Sequence, residues 1–335
     1  MPDQIVLSLF LVILLAFAFD FINGFHDTAN AVATAIATGA LLPRTAVLLA
    51  AVMNFLGALA FTGVAQNIAG NLIRPFDAQS GLQIIAATLA AAIIWNLATW
   101  LGGLPSSSSH ALLGALTGAA YAAAGSRVLD RTGLGNAFLA LAVSPPLAFL
   151  TGFCVMTCFN LLFSLQILSR SRSERRFLFL QRISATLQAF SHGSNDAQKT
   201  MGVITLALVI SGGQETLQVP FWVKSASALF LALGTAAGGW RIIRTLAHGI
   251  TRLAPANGFA ADLSASLTIL SATILHLPVS TTHIISSAIT GVGAGEGRSS
   301  VKWRTVGRML AAWACTLPFT SFLGALFYLI SYYLT

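Results

Sequence analysis

Apolar residues run in long stretches near positions 5–22, 45–66, 82–101, 136–168, 183–190, 219–240, 256–276 and 305–333. A helix of about 20 such residues crosses the roughly 30 Å of a bilayer's hydrocarbon at about 1.5 Å rise per residue. Shorter helix-like pieces lie at about 28–42, 111–124, 197–211 and 283–295, each after a polar break. These pieces are too short to span comfortably alone. The pattern predicts an all-α polytopic membrane protein whose helices are in places broken or re-entrant within the membrane.

The breaks form two matching pairs. Asn23-Gly24-Phe25-His26-Asp27-Thr28-Ala29 aligns with His192-Gly193-Ser194-Asn195-Asp196-Ala197-Gln198. Leu104-Pro105-Ser106-Ser107-Ser108-Ser109-His110 aligns with Leu277-Pro278-Val279-Ser280-Thr281-Thr282-His283, and Thr117-Gly118 then falls over Thr290-Gly291. The offsets are 169 and 173 residues, so both pairs report one duplication. The expected organisation is a first repeat over 1–168, a basic linker over 169–182 and a second repeat over 183–335.

Composition narrows the class. Of 335 residues, 56% are hydrophobic and 8% are charged, against roughly 25% charged in soluble domains. A mean hydropathy of +0.80 fits a bilayer and excludes soluble enzymes, disulfide-stapled secreted domains and most nucleic-acid binders, despite a pI near 10.1. Cys154, Cys158 and Cys315 sit in apolar stretches without a CxxC pair and read as packing residues. Met1-Pro2-Asp3-Gln4 lacks a basic start and the apolar run continues to Phe21, so no cleavable signal peptide is expected.

Charge also orients the chain. Arg44, the linker residues Arg170, Arg172, Arg175, Arg176 and Arg182, then Arg241, Arg244 and Arg252, then Arg298, Lys302, Arg304 and Arg308 gather at helix ends. The positive-inside tendency puts these in the cytoplasm, Arg74, Arg127, Arg131 and Lys224 opposite, and both termini outside. The two repeats then run in opposite directions. Inverted repeats with interrupted helices meeting at a midplane site are the architecture of secondary transporters.

The chemistry sits at the breaks. Asp27 and Asp196 lie far from any charged loop, where a carboxylate costs several kcal/mol unless protonated, paired or bound to a cation. Asn23, Thr28, Asn30, Asn195, Gln198 and Thr200 surround them with amide and hydroxyl oxygens, a ligand set that suits hard monovalent cations; amides there can equally cap helices. Asp20 is ambiguous, a cap or the wall of an aqueous vestibule. The Pro-led hydroxyl runs Ser107, Ser108, Ser109 and Ser280, Thr281, Thr282 read as helix starts. Free backbone N–H groups, the positive dipole end and extra O–H donors make such starts anion sites. Two of them facing each other would surround a tetrahedral oxyanion such as phosphate.

His110 and His283 follow the hydroxyls and could donate hydrogen bonds, move protons or satisfy buried backbone. His26 and His192 adjoin the acids and suit proton traffic; Lys199 could pair with a carboxylate or contact the anion. His248 and His276 read as helix-end residues, and Gly114 and Gly118 as a close-packing face. Phosphate with two carboxylates would carry about three or four negative charges, of which Lys199 offsets at most one. Cations must therefore enter with the anion, as protons, as Na⁺, or as Mg²⁺ or another divalent metal in a neutral phosphate complex. No resident cofactor or structural metal is expected.

At these residues the chain resembles the PiT family of inorganic phosphate transporters, in particular its low-affinity bacterial permeases. The carrying segments are Phe21–Thr34, Ile94–His110, Phe190–Lys199 and Leu277–His283. The resemblance implies cation-coupled phosphate uptake across a bacterial-type cytoplasmic membrane. It implies cations at Asp27, Asp196 and their amides, phosphate at Ser107–Ser109 and Ser280–Thr282, and a homodimer. The linker here is short where many relatives carry a long hydrophilic loop, which puts loop-mediated regulation in doubt. His26 stands where many sodium-coupled members have Asn, which favours protons over Na⁺. A divalent-cation carrier is the competing transport reading. An intramembrane hydrolase is disfavoured because no GxSxG or GxGD motif occurs.

Overall fold

The computed structural model describes residues 3–73 and 77–334. Arg74, which the charge reading puts on the outer face, lies outside the described residues, as do the side chains of Arg170 and Arg172. Twelve α-helices are described, and they pair off as six and six. The first six are α1 (Asp3–Ala37), α2 (Pro43–Ala58), α3 (Gly63–Asn71), α4 (Ala78–Leu101), α5 (Ser108–Ala124) and α6 (Arg131–Ser164). The second six are α7 (Arg170–Ile210), α8 (Phe221–Ala237), α9 (Trp240–Gly249), α10 (Pro255–Ile274), α11 (Thr281–Glu296) and α12 (Trp303–Leu334).

Packing respects the pairing. Helix α1 packs on α8 and α2 on α7; α5 packs on α12 and α6 on α11; α1 packs on α4 and α7 on α10. Each contact has its counterpart when the first six helices are exchanged for the second six. Helices α1, α4, α6 and α12 are each long and apolar enough to cross a membrane. The pairs α2–α3 and α8–α9 are bent by 63° and 69° at their junctions, as broken spans or re-entrant loops are. Leu7, Phe10, Leu139 and Phe322 lie exposed while Asp20, Asn23, Asp27 and Lys199 are buried. That distribution inverts the soluble one and matches a lipid surround.

Several breaks move relative to expectation. Helices α1 and α7 run uninterrupted through Asn23–Ala29 and His192–Gln198. The pieces at 28–42 and 197–211 are continuations of long helices, not separate half-spans. Gly24 and Gly193 are there for helix crossing instead. A Cβ at Gly24 would strike the Leu231 carbonyl of α8, and one at Gly193 the Asn54 carbonyl of α2. Gly234 and Gly57 meet the backbones of α1 and α7 in return. The 169–182 linker is largely the first turns of α7, with Ser169 at its N-cap.

The second pair of breaks is real, and the same device makes both. Gly103 and His276 take left-handed backbone (φ 62° and 59°) and stop α4 and α10. Leu104 N–H then bonds the Thr99 carbonyl at 3.0 Å, and Leu277 N–H the Ala272 carbonyl at 2.8 Å. Pro105 and Pro278 lead extended segments to Ser107 and Ser280, the N-caps of α5 and α11. His276 is thus the helix-end residue expected. Gly118 and Gly114 press α5 against the backbone of α12, the close-packing face expected of them.

Candidate functional site

The N-terminal tips of α5 and α11 point at the middles of α1 and α7. Every predicted site residue is at most 9% exposed. One carboxylate oxygen each of Asp27 and Asp196 and a ring nitrogen of His192 lie within 4.8 Å of one another. The acids from the two long helices therefore share one pocket.

Asp27 is held by hydroxyls from both tips, and Asp196 by the α11 tip together with side chains of α1 and α7. Asp27 Oδ1 lies 2.6 Å from His26 Nδ1 and accepts from Thr282 Oγ1 at 3.3 Å; its Oδ2 accepts from Ser108 Oγ at 3.4 Å. Asp196 Oδ1 accepts from Lys199 Nζ at 2.8 Å and from Thr281 Oγ1 at 3.2 Å, and its Oδ2 from Asn23 Nδ2 at 3.1 Å. His192 Nε2 stands 3.5 Å from the same Oδ2. Lys199 also donates to Ser108 Oγ at 3.2 Å, and Asn30 Nδ2 donates to Thr282 Oγ1 at 2.9 Å. Ser108, Thr281 and Thr282 are thus the tip hydroxyls that reach the acids, alongside Asn23, Asn30, His26, His192 and Lys199.

Other expected members do structural work. Ser107 and Ser280 accept from the N–H groups of His110 and His283 and cap their helices. Ser109 donates to the Val279 carbonyl at 2.7 Å and ties one tip to the other. Asn195 donates to the Leu277 carbonyl and Thr273 Oγ1, bracing the α10–α11 break. Gln198 faces away and accepts from Val64 and Ala65 N–H, capping α3. His110 and His283 lie with ring centroids 4.5 Å apart, and His283 stacks on Trp313 at 3.8 Å. They form a wall behind the tips.

The sequence reading passed over four supports. Ser106 bonds Thr99 at 2.8 Å, and both approach His26 Nε2, at 3.4 and 3.2 Å. Asn54 holds His192 Nδ1 at 3.1 Å. Asp262 of α10 accepts from Thr34 at 2.5 Å, fully buried. A lone polar residue within an apolar run is itself the signal that finds Asn54 and Asp262. On α1 the residues Asp20, Asn23, Asp27, Asn30 and Thr34 recur at three or four positions, one buried polar stripe along a helix.

Known proteins resemble the chain over nearly its whole length. Residues 23–324 match the Phosphate transporter family. The chain is 47% identical over 329 residues to a "Probable low-affinity inorganic phosphate transporter" of Bacillus subtilis, covering 98% of each protein. It is 44% identical over 324 residues to a protein of the same description from Mycobacterium bovis, covering 96% of this chain and 76% of that one. A solved structure described as "The sodium-dependent phosphate transporter" shares the fold, with a TM-score of 0.87 at 24% identity over 98% of this chain and 100% of the other.

Proposed function

Since the chain belongs to the phosphate transporter family, we propose that it is a symporter that moves inorganic phosphate with protons by exposing one midplane site alternately to either side. The carrying observation is the sharing of donors: Ser108, Thr281 and Thr282, at the tips of α5 and α11, donate to the carboxylates of Asp27 and Asp196. A tetrahedral oxyanion between the tips would take those hydroxyls together with free N–H groups of the two helix starts. The carboxylates would then lose donors while gaining a negative neighbour. Only an arriving cation offsets both losses, and this makes coupling obligatory.

His26 favours the proton as that cation. Its Nδ1 already lies 2.6 Å from Asp27, and an imidazole has a ring nitrogen that can carry a proton where an amide has none. The remaining topology follows from the inverted-repeat reading: two halves of six helices, the basic helix ends in the cytoplasm, and both termini outside a bacterial-type cytoplasmic membrane. A divalent metal arriving as a neutral phosphate complex would find Asp27, Asp196 and His192 within 4.8 Å of one another.

The test is uptake of ³²P-phosphate by proteoliposomes of the full chain, with pH, Na⁺ and Mg²⁺ gradients imposed one at a time. Accumulation driven by the pH gradient alone supports the reading. Accumulation that needs a Na⁺ gradient and ignores pH overturns the proton and leaves phosphate transport standing.

A further inference from the structure

We infer that Asp20 of α1 is a proton-binding site distinct from the phosphate pocket, loaded and emptied once per transport cycle. The inference rests on the proposed phosphate symport and adds a second proton, at Asp20, to the one that reading places at His26 and Asp27. Asp20 is 0% exposed, and its surroundings differ from those of the other two acids on this path. Asp27 has an imidazole and Asp196 an ammonium at hydrogen-bond distance. Asp20 has a hydroxyl: Thr200 Oγ1 donates to its Oδ1 at 2.6 Å.

Two acceptor oxygens here receive no hydrogen bond, and a neighbouring hydroxyl makes none. Asp20 Oδ2, Asn23 Oδ1 and Ser227 Oγ are buried with no hydrogen-bond partner among the described residues. Asn23 spends its amide N–H on Asp196, which fixes the side chain and leaves its oxygen as an acceptor without a hydrogen. Asn23 follows Asp20 by one helical turn, and Ser227 faces it from α8. A carboxylate only accepts, whereas a carboxylic acid supplies an O–H. A proton on Asp20 therefore removes a buried charge that no cation contacts and places an O–H one helical turn from the unpaired Asn23 Oδ1 in one step. When that proton leaves, the charge returns beside Asn23, the residue that holds Asp196. Occupancy at Asp20 is thereby coupled to the phosphate pocket through one side chain.

The charged groups facing Asp20 are Asp196 and Lys199, both of α7. Helix α4 carries no charged residue, and among the described residues no ion pair joins Asp20 to Lys224 in the first turn of α8. Asp27 and His26 lie two turns further along α1 and are occupied with each other.

The experiment compares the parent chain, Asp20→Asn, Asp20→Glu and Thr200→Val in proteoliposomes. Phosphate exchange at equal pH on both sides is read against accumulation under an imposed pH gradient. Asp20→Asn is expected to keep exchange of the parent's order and lose a large part of gradient-driven accumulation, with Asp20→Glu restoring it. Thr200→Val, which removes the hydroxyl donor, is expected to shift the pH of half-maximal accumulation. Infrared difference spectra over a pH titration are expected to show a carboxylic-acid C=O band that Asp20→Asn lacks. Unchanged accumulation in Asp20→Asn, an unshifted profile in Thr200→Val, or a band that survives in Asp20→Asn overturns the assignment. A parent chain inert toward phosphate overturns the transport reading instead, and the infrared band still decides Asp20. Should Asp20→Asn not fold, Asp20→Glu and Thr200→Val decide the question alone.

Discussion

Asn23 of α1 donates its amide to Asp196 Oδ2 of α7 at 3.1 Å, so one acid-bearing helix completes the carboxylate site of the other. The same carboxylate neutralises Lys199, whose side chain is 2% exposed. Removing one partner of a buried ion pair leaves the other charge without compensation, at a cost of about 3–5 kcal/mol. Asp196→Asn is therefore expected to lower thermal stability in detergent markedly. Asp196→Asn with Lys199→Gln should recover most of that loss, because no bare cation is left. Neither variant should accumulate phosphate. The check is a melting series followed by size-exclusion chromatography; a single variant as stable as the parent would contradict the pairing.

Close helix crossing makes a second prediction. Gly24→Ala puts a methyl group into the Leu231 carbonyl of α8, and backbone there cannot rotate aside. Overpacking of this kind costs about 1–3 kcal/mol or more. Gly307→Ala places the same atom where nothing lies within 4 Å. The first variant should melt well below the parent and the second with it, measured side by side in one detergent.

These two glycines also show what the sequence could and could not convey. The motif around Asp27 stands out in the sequence because acids, amides and hydroxyls in an apolar run have no packing reason to recur at matched positions. Its backbone was not legible. Asn23-Gly24 reads as a helix break by composition, yet the interior of a membrane supplies no water for freed backbone, and α1 keeps its ladder intact. The glycine serves α8, which lies some two hundred residues away along the chain. The Pro105 and Pro278 breaks were legible because proline and left-handed backbone act locally. Roles fixed by distant partners, such as Gln198 on α3 or Ser109 on Val279, left no trace in the spacing.

A third prediction concerns the entrance to α4. Asp77 caps that helix by accepting from Ser80 N–H at 2.9 Å, and this bond holds its carboxyl below the usual value of 3.8. A depressed carboxylate stabilises the fold above its unfolded value, and the contribution fades as pH falls through the lowered one. Asp77→Ala should cost about 0.5–2 kcal/mol at neutral pH. The gap from the parent should narrow as the melting buffer is taken below pH 3.8. A gap that is constant down to strong acid would show that the cap bond is not its source.

Hydroxyls within one tip should separate by what they touch. Ser280 accepts from His283 N–H at 3.3 Å and caps α11, whereas Thr282, two residues on, reaches Asp27 at 3.3 Å and Asn30 at 2.9 Å. A cap hydroxyl contributes about 0.5–2 kcal/mol to the helix it starts. Ser280→Ala should therefore lower the melting temperature and leave the apparent KM for phosphate near that of the parent. Thr282→Val keeps the side chain's volume and removes both the donor to Asp27 and the acceptor for Asn30, so KM should rise and coupling to the pH gradient weaken alongside a loss of stability of about 1–3 kcal/mol. Concentration-dependent uptake and melting curves on the same preparations give both readings. If the two variants exchanged behaviours, the anion would sit at the cap rather than along the first turn of α11, and the donor sharing between hydroxyls and carboxylates would not be the origin of coupling.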